Sequence, residues 1–179
     1  MLKNPFFKFI ITFSILIVLW FSFYENIYEL NLLFGENTDI QRTVSIYLAN
    51  FSMLFIELLG YSPTLDTTSD FVITSVEGNY FNHGVWIGEP CNGVKVFGLF
   101  SIFILAFQGK WIHKLWFIPL GILLLHLSNA IRIAILTIIS AENPSYLDFN
   151  HNITFQVLVY GLVFGLWYIW VNKFSKLSN

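Results

Sequence analysis

The sequence predicts an all-α integral membrane fold of four transmembrane helices, with an outer interfacial amphipathic helix and a small extracytoplasmic β-hairpin. Of the 179 residues, 56% are hydrophobic and only 11% are charged. A soluble fold of this length has too little interior to bury so much apolar surface, so lipid is the expected solvent. Long apolar stretches, and lysines at alternate ends of them, predict the number and direction of the spans.

Four apolar stretches are predicted to cross the membrane: Phe9 to Tyr24, Val94 to Phe107, Leu115 to Ile139, and Ile153 to Val171. The second reaches the roughly 20 residues of a full crossing only when it is extended back to Cys91. The first follows two lysines, as a secretory signal does, but no small-residue cleavage site comes after it. We therefore interpret it as a retained anchor.

Lysines predict the orientation of the spans. Six lysines stand before the first span, between the second and third, and after the fourth: Lys3, Lys8, Lys110, Lys114, Lys173 and Lys176. Because lysine and arginine near span ends mark the cytoplasmic side, both termini and the loop near residue 110 are expected inside the cell. No repeat or linker divides the chain, which predicts a single membrane domain, residues 1–179, in the cytoplasmic (inner) membrane.

Residues 40–59 are also apolar enough to be considered as a span. Their apolar positions recur at steps of three and four, and polar residues such as Arg42 and Glu57 interrupt them. This pattern predicts an amphipathic helix on the outer interface. A re-entrant helix packed among the spans is the alternative.

A β-hairpin is predicted between this helix and the second span. Phe71 to Val76 is rich in β-branched residues, Glu77-Gly78-Asn79 has the composition of a turn, and Tyr80 to Ile87 is a second, less regular run. Two such runs joined by turn residues are typical of a hairpin.

The one cysteine, Cys91, is predicted at the outer start of the second span, within Gly88-Glu89-Pro90-Cys91-Asn92-Gly93. Unpaired backbone N–H groups and the positive end of the macrodipole at a helix N-terminus stabilise a thiolate. Cys91 is therefore a candidate nucleophile. The alternative is a small, inert, buried apolar side chain.

Arg132 is predicted to lie inside the third span, roughly 10 Å below the outer interface at about 1.5 Å per residue. An arginine at this depth costs several kcal/mol on insertion scales unless it snorkels or finds a partner. Ser128 and Asn129 share its helix face and can orient the guanidinium. The alternative is a structural arginine that snorkels to the outer surface.

His151 is predicted just before the fourth span, on the same outer side, where the positive helix end would favour the neutral imidazole that acts as a base. A surface-loop histidine is the alternative. His83 is a weaker outer candidate, whereas His113 and His126 are expected to be structural.

The predicted topology places Cys91, Arg132 and His151 at one outer level, with Asn129 and Asn92 as supporting residues. A thiolate, an acid/base group and a cation are the groups needed for acyl transfer from a peptide bond. Neither a second cysteine nor a close histidine pair suggests a metal site, and no phosphate-binding glycine-rich motif occurs. No cofactor is expected, and the net charge of −2 argues against nucleic acid as a partner.

The motifs around these residues resemble the exosortase/archaeosortase family of membrane cysteine transpeptidases. They are Pro90-Cys91-Asn92-Gly93-Val94 at the head of one span, Asn129-Ala130-Ile131-Arg132-Ile133 near the end of the next, and His151 before the last. The resemblance covers roughly residues 70–171, whereas residues 1–69 match only as an anchor plus an outer region. The short chain looks like the compact exosortases of Bacteroidetes-type bacteria. Asn92 stands where many relatives carry serine.

The resemblance implies cleavage of C-terminal sorting signals of exported proteins, at the outer face of the cytoplasmic membrane, through a thioester on Cys91. Its expected partners are exported proteins with a tail of short motif, hydrophobic span and basic end, together with membrane lipid. Arg132 would be a proton donor or charge stabiliser, and His151 a further catalytic group. The alternatives are a non-enzymatic membrane component of a surface-protein or polysaccharide export system, and a small transporter, which is the weaker of the two.

Overall fold

The computed structural model describes residues 4–26, 40–68, 72–78, 84–89 and 91–175, and most of this part is helical. The helices are α1 (Pro5–Glu25), α2 (Ile40–Leu58), α3 (Val94–Ala106), α4 (Trp111–Glu142) and α5 (Phe155–Ile169). A 3-10 turn (Pro144–Tyr146), one α-helical turn (Leu147–Phe149) and a π-helical turn (Asn150–Thr154) precede α5, and a second π-helical turn (Trp170–Phe174) follows it.

Three helical segments of the described chain are long and apolar enough to cross a membrane: Pro5–Glu25, Trp111–Glu142 and Pro144–Phe174. The chain is therefore a multi-pass membrane protein. The predicted count of four spans is not confirmed, because α3 has only 13 residues and reaches roughly 20 Å at 1.5 Å per residue. Its extension back to Cys91 does not occur, since Gly93 has a φ of +83°, outside the helical region.

The chain forms two compact units, each built from discontinuous segments. Of the described residues, the first unit contains 4–26, 94–124 and 161–175, and the second contains 40–68, 72–78, 84–89, 91–93 and 125–160. Two of the boundaries between the units lie inside helices, one in α4 and one in α5. The single membrane domain stays a prediction.

Aromatic rings fill the first unit. Phe103 stacks on Trp167 with ring centroids 4.2 Å apart, and Phe9 meets Phe107 edge-on at 5.1 Å. α1 and α3 approach each other closely at Gly98, where an added Cβ would collide with the ring of Trp20. Small residues allow such close helix contacts in membranes, where lipid does not drive apolar side chains together.

In the second unit, α2 and α4 enclose an antiparallel three-stranded sheet. Its strands are β1 (Pro63–Asp66), β2 (Ile73–Val76) and β3 (Val85–Trp86), in the order β1-β2-β3. Pro63 pairs with Val76, and Ile73 pairs with Trp86. The predicted hairpin is thus present as β2 and β3, although β3 is shorter than predicted, β1 was not predicted, and residues 79–83 lie outside the described chain.

The sheet is fixed to α4 through its buried face. Thr74 of β2 is fully buried, and its hydroxyl lies 2.9 Å from the hydroxyl of Thr137 in α4. Val76 packs with Ala134 and Ala141 of α4. These contacts hold the segment that precedes Cys91 against the helix that carries Arg132.

The helix predicted over residues 40–59 is present as α2, and its small side chains face the interior. Ser45, Ala49 and Ser52 are buried, whereas Tyr47 and Leu58 are 61% and 80% exposed. The buried hydroxyl of Ser52 donates to the carbonyl of Ala49 at 2.8 Å, so its burial leaves no donor unpaired. The predicted position of this helix on the outer interface stays a prediction.

The close contact of α1 with α3 predicts opposite effects of one substitution at two helical glycines. At Gly98, alanine would overlap the Trp20 ring, and overpacking of this kind costs about 1–3 kcal/mol of folding free energy. At Gly161 nothing lies within 4 Å of an added Cβ, so alanine should add up to about 1 kcal/mol of helix propensity. Thermal unfolding in detergent should therefore show a lower midpoint for Gly98→Ala and an unchanged or higher one for Gly161→Ala. Equal midpoints would contradict the contact.

Candidate active site

Cys91 lies in a tight turn between β3 and α3. The backbone N–H groups of Cys91 and Asn92 both donate to the carbonyl of Gly88, at 2.9 and 3.1 Å. Gly93 then redirects the chain, and α3 begins at Val94. The prediction that Cys91 opens the helix is therefore wrong: the positive φ of Gly93 interrupts the helical path, so the cysteine stands three residues before Val94.

Apolar side chains surround the sulfur-bearing residue. Cys91 is 9% exposed and packs in one cluster with Leu48 and Ala49 of α2, Val72 and Ile87 of the sheet region, and Ala130 and Ile133 of α4. Such walls exclude water from the vicinity of the thiol and strengthen its interaction with any polar group that reaches it. The polar groups that do so come from α4 and from the segment before α5.

His151 reaches Cys91 directly. Its Nε2 lies 3.6 Å from the Sγ of Cys91, within hydrogen-bond range for sulfur. Its Nδ1 lies 3.1 Å from the side-chain Oδ1 of Asn152. Because a carboxamide oxygen only accepts hydrogen bonds, this contact assigns the proton to Nδ1 and leaves the lone pair of Nε2 facing the thiol.

The backbone around His151 differs from the prediction. Its helical segment begins at Pro144, with Asn143 as the N-terminal flanking residue, so His151 lies inside the helix rather than before it. The positive end of the helix therefore does not act on its imidazole as predicted, because macrodipole effects fall off within the first turn. His151 instead lies in the π-helical turn Asn150–Thr154, a rare geometry that is frequent at functional sites.

Asn129 links Cys91 to Arg132. Asn129 is 4% exposed, and its Nδ2 donates to the carbonyl oxygen of Cys91 at 2.7 Å. Its Oδ1 accepts a long hydrogen bond of 3.5 Å from a terminal nitrogen of Arg132. The two residues share one face of α4, as the sequence spacing predicts.

Arg132 is half-buried and has spare hydrogen-bonding capacity. Its Nε is buried and has no partner among the described residues. Within that same part of the chain, no hydrogen bond joins Arg132 to Cys91 or His151, and no carboxylate pairs with it. The guanidinium is therefore linked to the cysteine through one intervening side chain, that of Asn129, and some of its N–H donors are not hydrogen-bonded to any described residue.

Within the described chain, the other residues that the sequence analysis named make no hydrogen bond to Cys91, Arg132 or His151 through their side chains. Asn92 is fully buried in the turn, beside the cysteine. His126 packs edge-on against Phe51 at 5.5 Å, and His113 packs against Phe174 at 5.3 Å. His83 and Pro90 lie outside the described residues.

Asn152 is the site residue that sequence reasoning missed. It forms part of Asn152-Ile153-Thr154, which matches a glycosylation sequon and looks accidental beside a span. The only signal in the sequence is a carboxamide adjacent to the candidate histidine. A carboxamide that fixes the tautomer and orientation of the base is the third member of a nucleophile–base–orienter set.

The chain matches the family model described as transmembrane exosortase, over residues 6–171. Comparison with curated proteins and with solved structures finds no match.

The contact of His151 with Cys91 predicts how fast the thiol is alkylated. Removing the base in His151→Ala should slow labelling of Cys91 by iodoacetamide at neutral pH by at least about tenfold, since the thiolate is the reactive form. Asn152→Ala should slow it by a smaller factor. Because Cys91 is the one cysteine, labelled mass reports on it alone.

Asn150→Ala provides the control, because Asn150 lies in the same π-helical turn as His151 but its side chain donates to the carbonyl of Tyr146 and makes no hydrogen bond to the cysteine. If His151→Ala and Asn150→Ala label at the wild-type rate, the histidine does not act as a base toward the thiol.

Proposed function

Since the chain belongs to the transmembrane exosortase family, we propose that it is a membrane cysteine peptidase/transpeptidase that cleaves C-terminal sorting signals of exported proteins through a thioester on Cys91. The observation that carries this proposal is the 3.6 Å contact between Cys91 Sγ and His151 Nε2. A nucleophile, a base and an orienting carboxamide in contact are the geometric signature of covalent acyl transfer.

In the first half-reaction, His151 Nε2 takes the thiol proton and the sulfur attacks the scissile carbonyl carbon. The tetrahedral intermediate then collapses: its C–N bond breaks, and the leaving amine takes the proton from His151 Nε2. The carboxyl-side fragment departs and a thioester remains on Cys91. Asn152 keeps Nδ1 as the protonated nitrogen throughout, so that Nε2 alone exchanges the proton.

Arg132 is proposed to stabilise the negative charge that develops on the carbonyl oxygen or on the sulfur. Arginine stays protonated in proteins, so it cannot be the base, and that role falls to His151. Asn129 acts as a positioning residue, because it holds the Cys91 carbonyl at 2.7 Å and contacts the guanidinium. Preorganised donors in a water-poor site are the largest single contribution to many acyl transfers.

In the second half-reaction, an acceptor amine or water gives a proton to His151 Nε2 and attacks the thioester carbon. The C–S bond breaks, the proton returns to the sulfur and the free thiol is restored. The proposed substrate carries a short motif, a hydrophobic span and a basic end. Its span would lie in lipid beside the protein's own spans, and the site would face outward from the cytoplasmic membrane, as the lysine distribution predicts.

Processing of a reporter with such a tail tests the nucleophile. We expect Cys91→Ala and Cys91→Ser to lower the cleavage rate in cells by at least about a hundredfold, since no other thiol is present to form the thioester. Quantitative blotting of precursor and cleaved product gives the rate. Asn150→Ala, normalised to protein abundance in the membrane, is the matched control.

A trapped intermediate distinguishes loss of chemistry from loss of folding. Two results support the scheme. The His151→Ala variant should bind the reporter but accumulate no thioester, and the Cys91→Ser variant should still co-purify with the uncleaved reporter. Processing at the wild-type rate in Cys91→Ala would overturn it.

A non-enzymatic membrane component of an export system is the second candidate. The observation that favours it is the half-buried Arg132 with no carboxylate partner in the described chain, which suits pairing with a partner protein. This candidate leaves the contact between Cys91 and His151 without a role.

Arg132→Lys separates the two candidates. For an ion pair with a partner, lysine should keep most of the function and Cys91→Ala should be silent. For catalysis, lysine should lower processing by about tenfold or more, because it lacks the planar fork of donors that arginine directs at an oxyanion. The same reporter assay, with Arg132→Gln as the full loss of charge, measures both.

A further inference from the structure

A groove of about 480 Å³ opens in the first unit, where the start of α1 meets the end of α3 and the start of α4. This volume is in the range of small-molecule binding sites. Two charged residues, Lys8 and Lys114, are among its lining residues, and none of the described residues that line it is acidic. The groove is therefore positive.

Lys114 is built into the wall of this groove. It is 5% exposed, and its Nζ donates to the carbonyls of Leu105 and Phe107, both at 2.8 Å. The same Nζ lies 4.9 Å from the centroid of the Trp111 ring. The carbonyls at the end of α3 and the aromatic face hold the ammonium group in place beside the groove.

Lys8 supplies a second charge that the protein does not use. It is exposed on the first turns of α1, and its ammonium group makes no hydrogen bond or ion pair with the described residues. A groove that is lined by two lysines, and by no acidic residue among those described, attracts anions. Phosphate and carboxylate groups are the anions that suit lysine side chains.

The position of the groove along its helices and a neighbouring pocket favour a lipid headgroup as the anion. α1 begins at Pro5 and α4 at Trp111, so the groove lies at the ends of two membrane-crossing helices. Trp111 is 67% exposed, as an interfacial tryptophan is. An adjoining pocket of about 120 Å³ is walled by Phe6, Phe9 and Phe107, and aromatic walls suit an acyl chain.

We propose that this groove binds the phosphate headgroup of an anionic phospholipid, with Lys8 and Lys114 facing the phosphate and an acyl chain against the aromatic pocket. The lysine distribution places the groove at the cytoplasmic leaflet, where anionic lipids attract basic residues. A free phosphate would satisfy the two lysines but would leave the aromatic pocket without an occupant.

Lipid binding to the purified full-length protein tests this proposal. The protein in neutral detergent is titrated with phosphatidylglycerol, with phosphatidylcholine or with inorganic phosphate, and bound lipid is counted by native mass spectrometry. We expect phosphatidylglycerol to bind more tightly than phosphatidylcholine, and Lys8→Gln to weaken its binding about fivefold, the loss of one lysine near an anionic surface. Lys8→Arg should retain binding.

Lys173→Gln is the matched control, because Lys173 is an exposed lysine near the end of a span and does not line the groove. Equal binding of the two lipids, or equal losses in Lys8→Gln and Lys173→Gln, would overturn the site. Inorganic phosphate that binds as tightly as phosphatidylglycerol would overturn the assignment to a lipid. None of these binding measurements depends on cleavage activity, so their outcome tests the lipid site independently of the proposed function.

Discussion

The position of Cys91 depends on one hydrogen bond, from Asn129 Nδ2 to its carbonyl oxygen at 2.7 Å. Gly93, with a φ of +83°, leaves that carbonyl outside the hydrogen-bond ladder of α3. An unsatisfied buried carbonyl costs about 1–3 kcal/mol. Asn129 therefore ties the turn to α4. Thr74 and Thr137 tie the preceding sheet to the same helix. Both Cys91 itself and the segment before it are therefore fixed to α4.

The π-helical turn Asn150–Thr154 completes the site by a related constraint. A π-helical turn contains one more residue than an α-helical turn, so it changes the direction in which the following side chains point. With α-helical spacing, the residues after His151 would lie on a different face of the helix. His151 then meets the sulfur through Nε2 and Asn152 through Nδ1. Two adjacent residues thus supply the proposed base and the group that orients it.

Hydropathy predicted the long crossings because lipid requires continuous apolar stretches, and this requirement is visible in composition. It did not predict the length of α3, which is set by the backbone at Gly93 and by the end of the helix at Ala106. β1 was missed because Pro63 and Asp66 are poor strand formers, and pairing with β2 makes the strand. The sequence does contain a signal for the helix start at Pro144, because proline is common at the first helical position. The prediction missed it because the span was begun at Ile153, where the apolar stretch starts.

The residues of the candidate site could be named from the sequence, but their contacts could not. Charge topology grouped Cys91, Arg132 and His151 at one predicted membrane level, but it gave no distances. It could not reveal that, in the part of the chain that the structure describes, Arg132 is linked to Cys91 through Asn129. No pattern distinguishes Asn152 from an ordinary polar residue, because its role depends on a π-turn that sequence periodicity does not encode.

The weakness of the contact between Arg132 and Asn129 is itself informative. A carboxylate partner would neutralise the guanidinium and occupy its donors in a bidentate pair. Asn129 instead accepts at 3.5 Å, near the limit of a hydrogen bond, and carries no charge. The arginine is thereby oriented while its charge and most of its five donors stay available. Because no carboxylate among the described residues competes for the cation, this arrangement suits the role proposed for Arg132, the stabilisation of a transient negative charge.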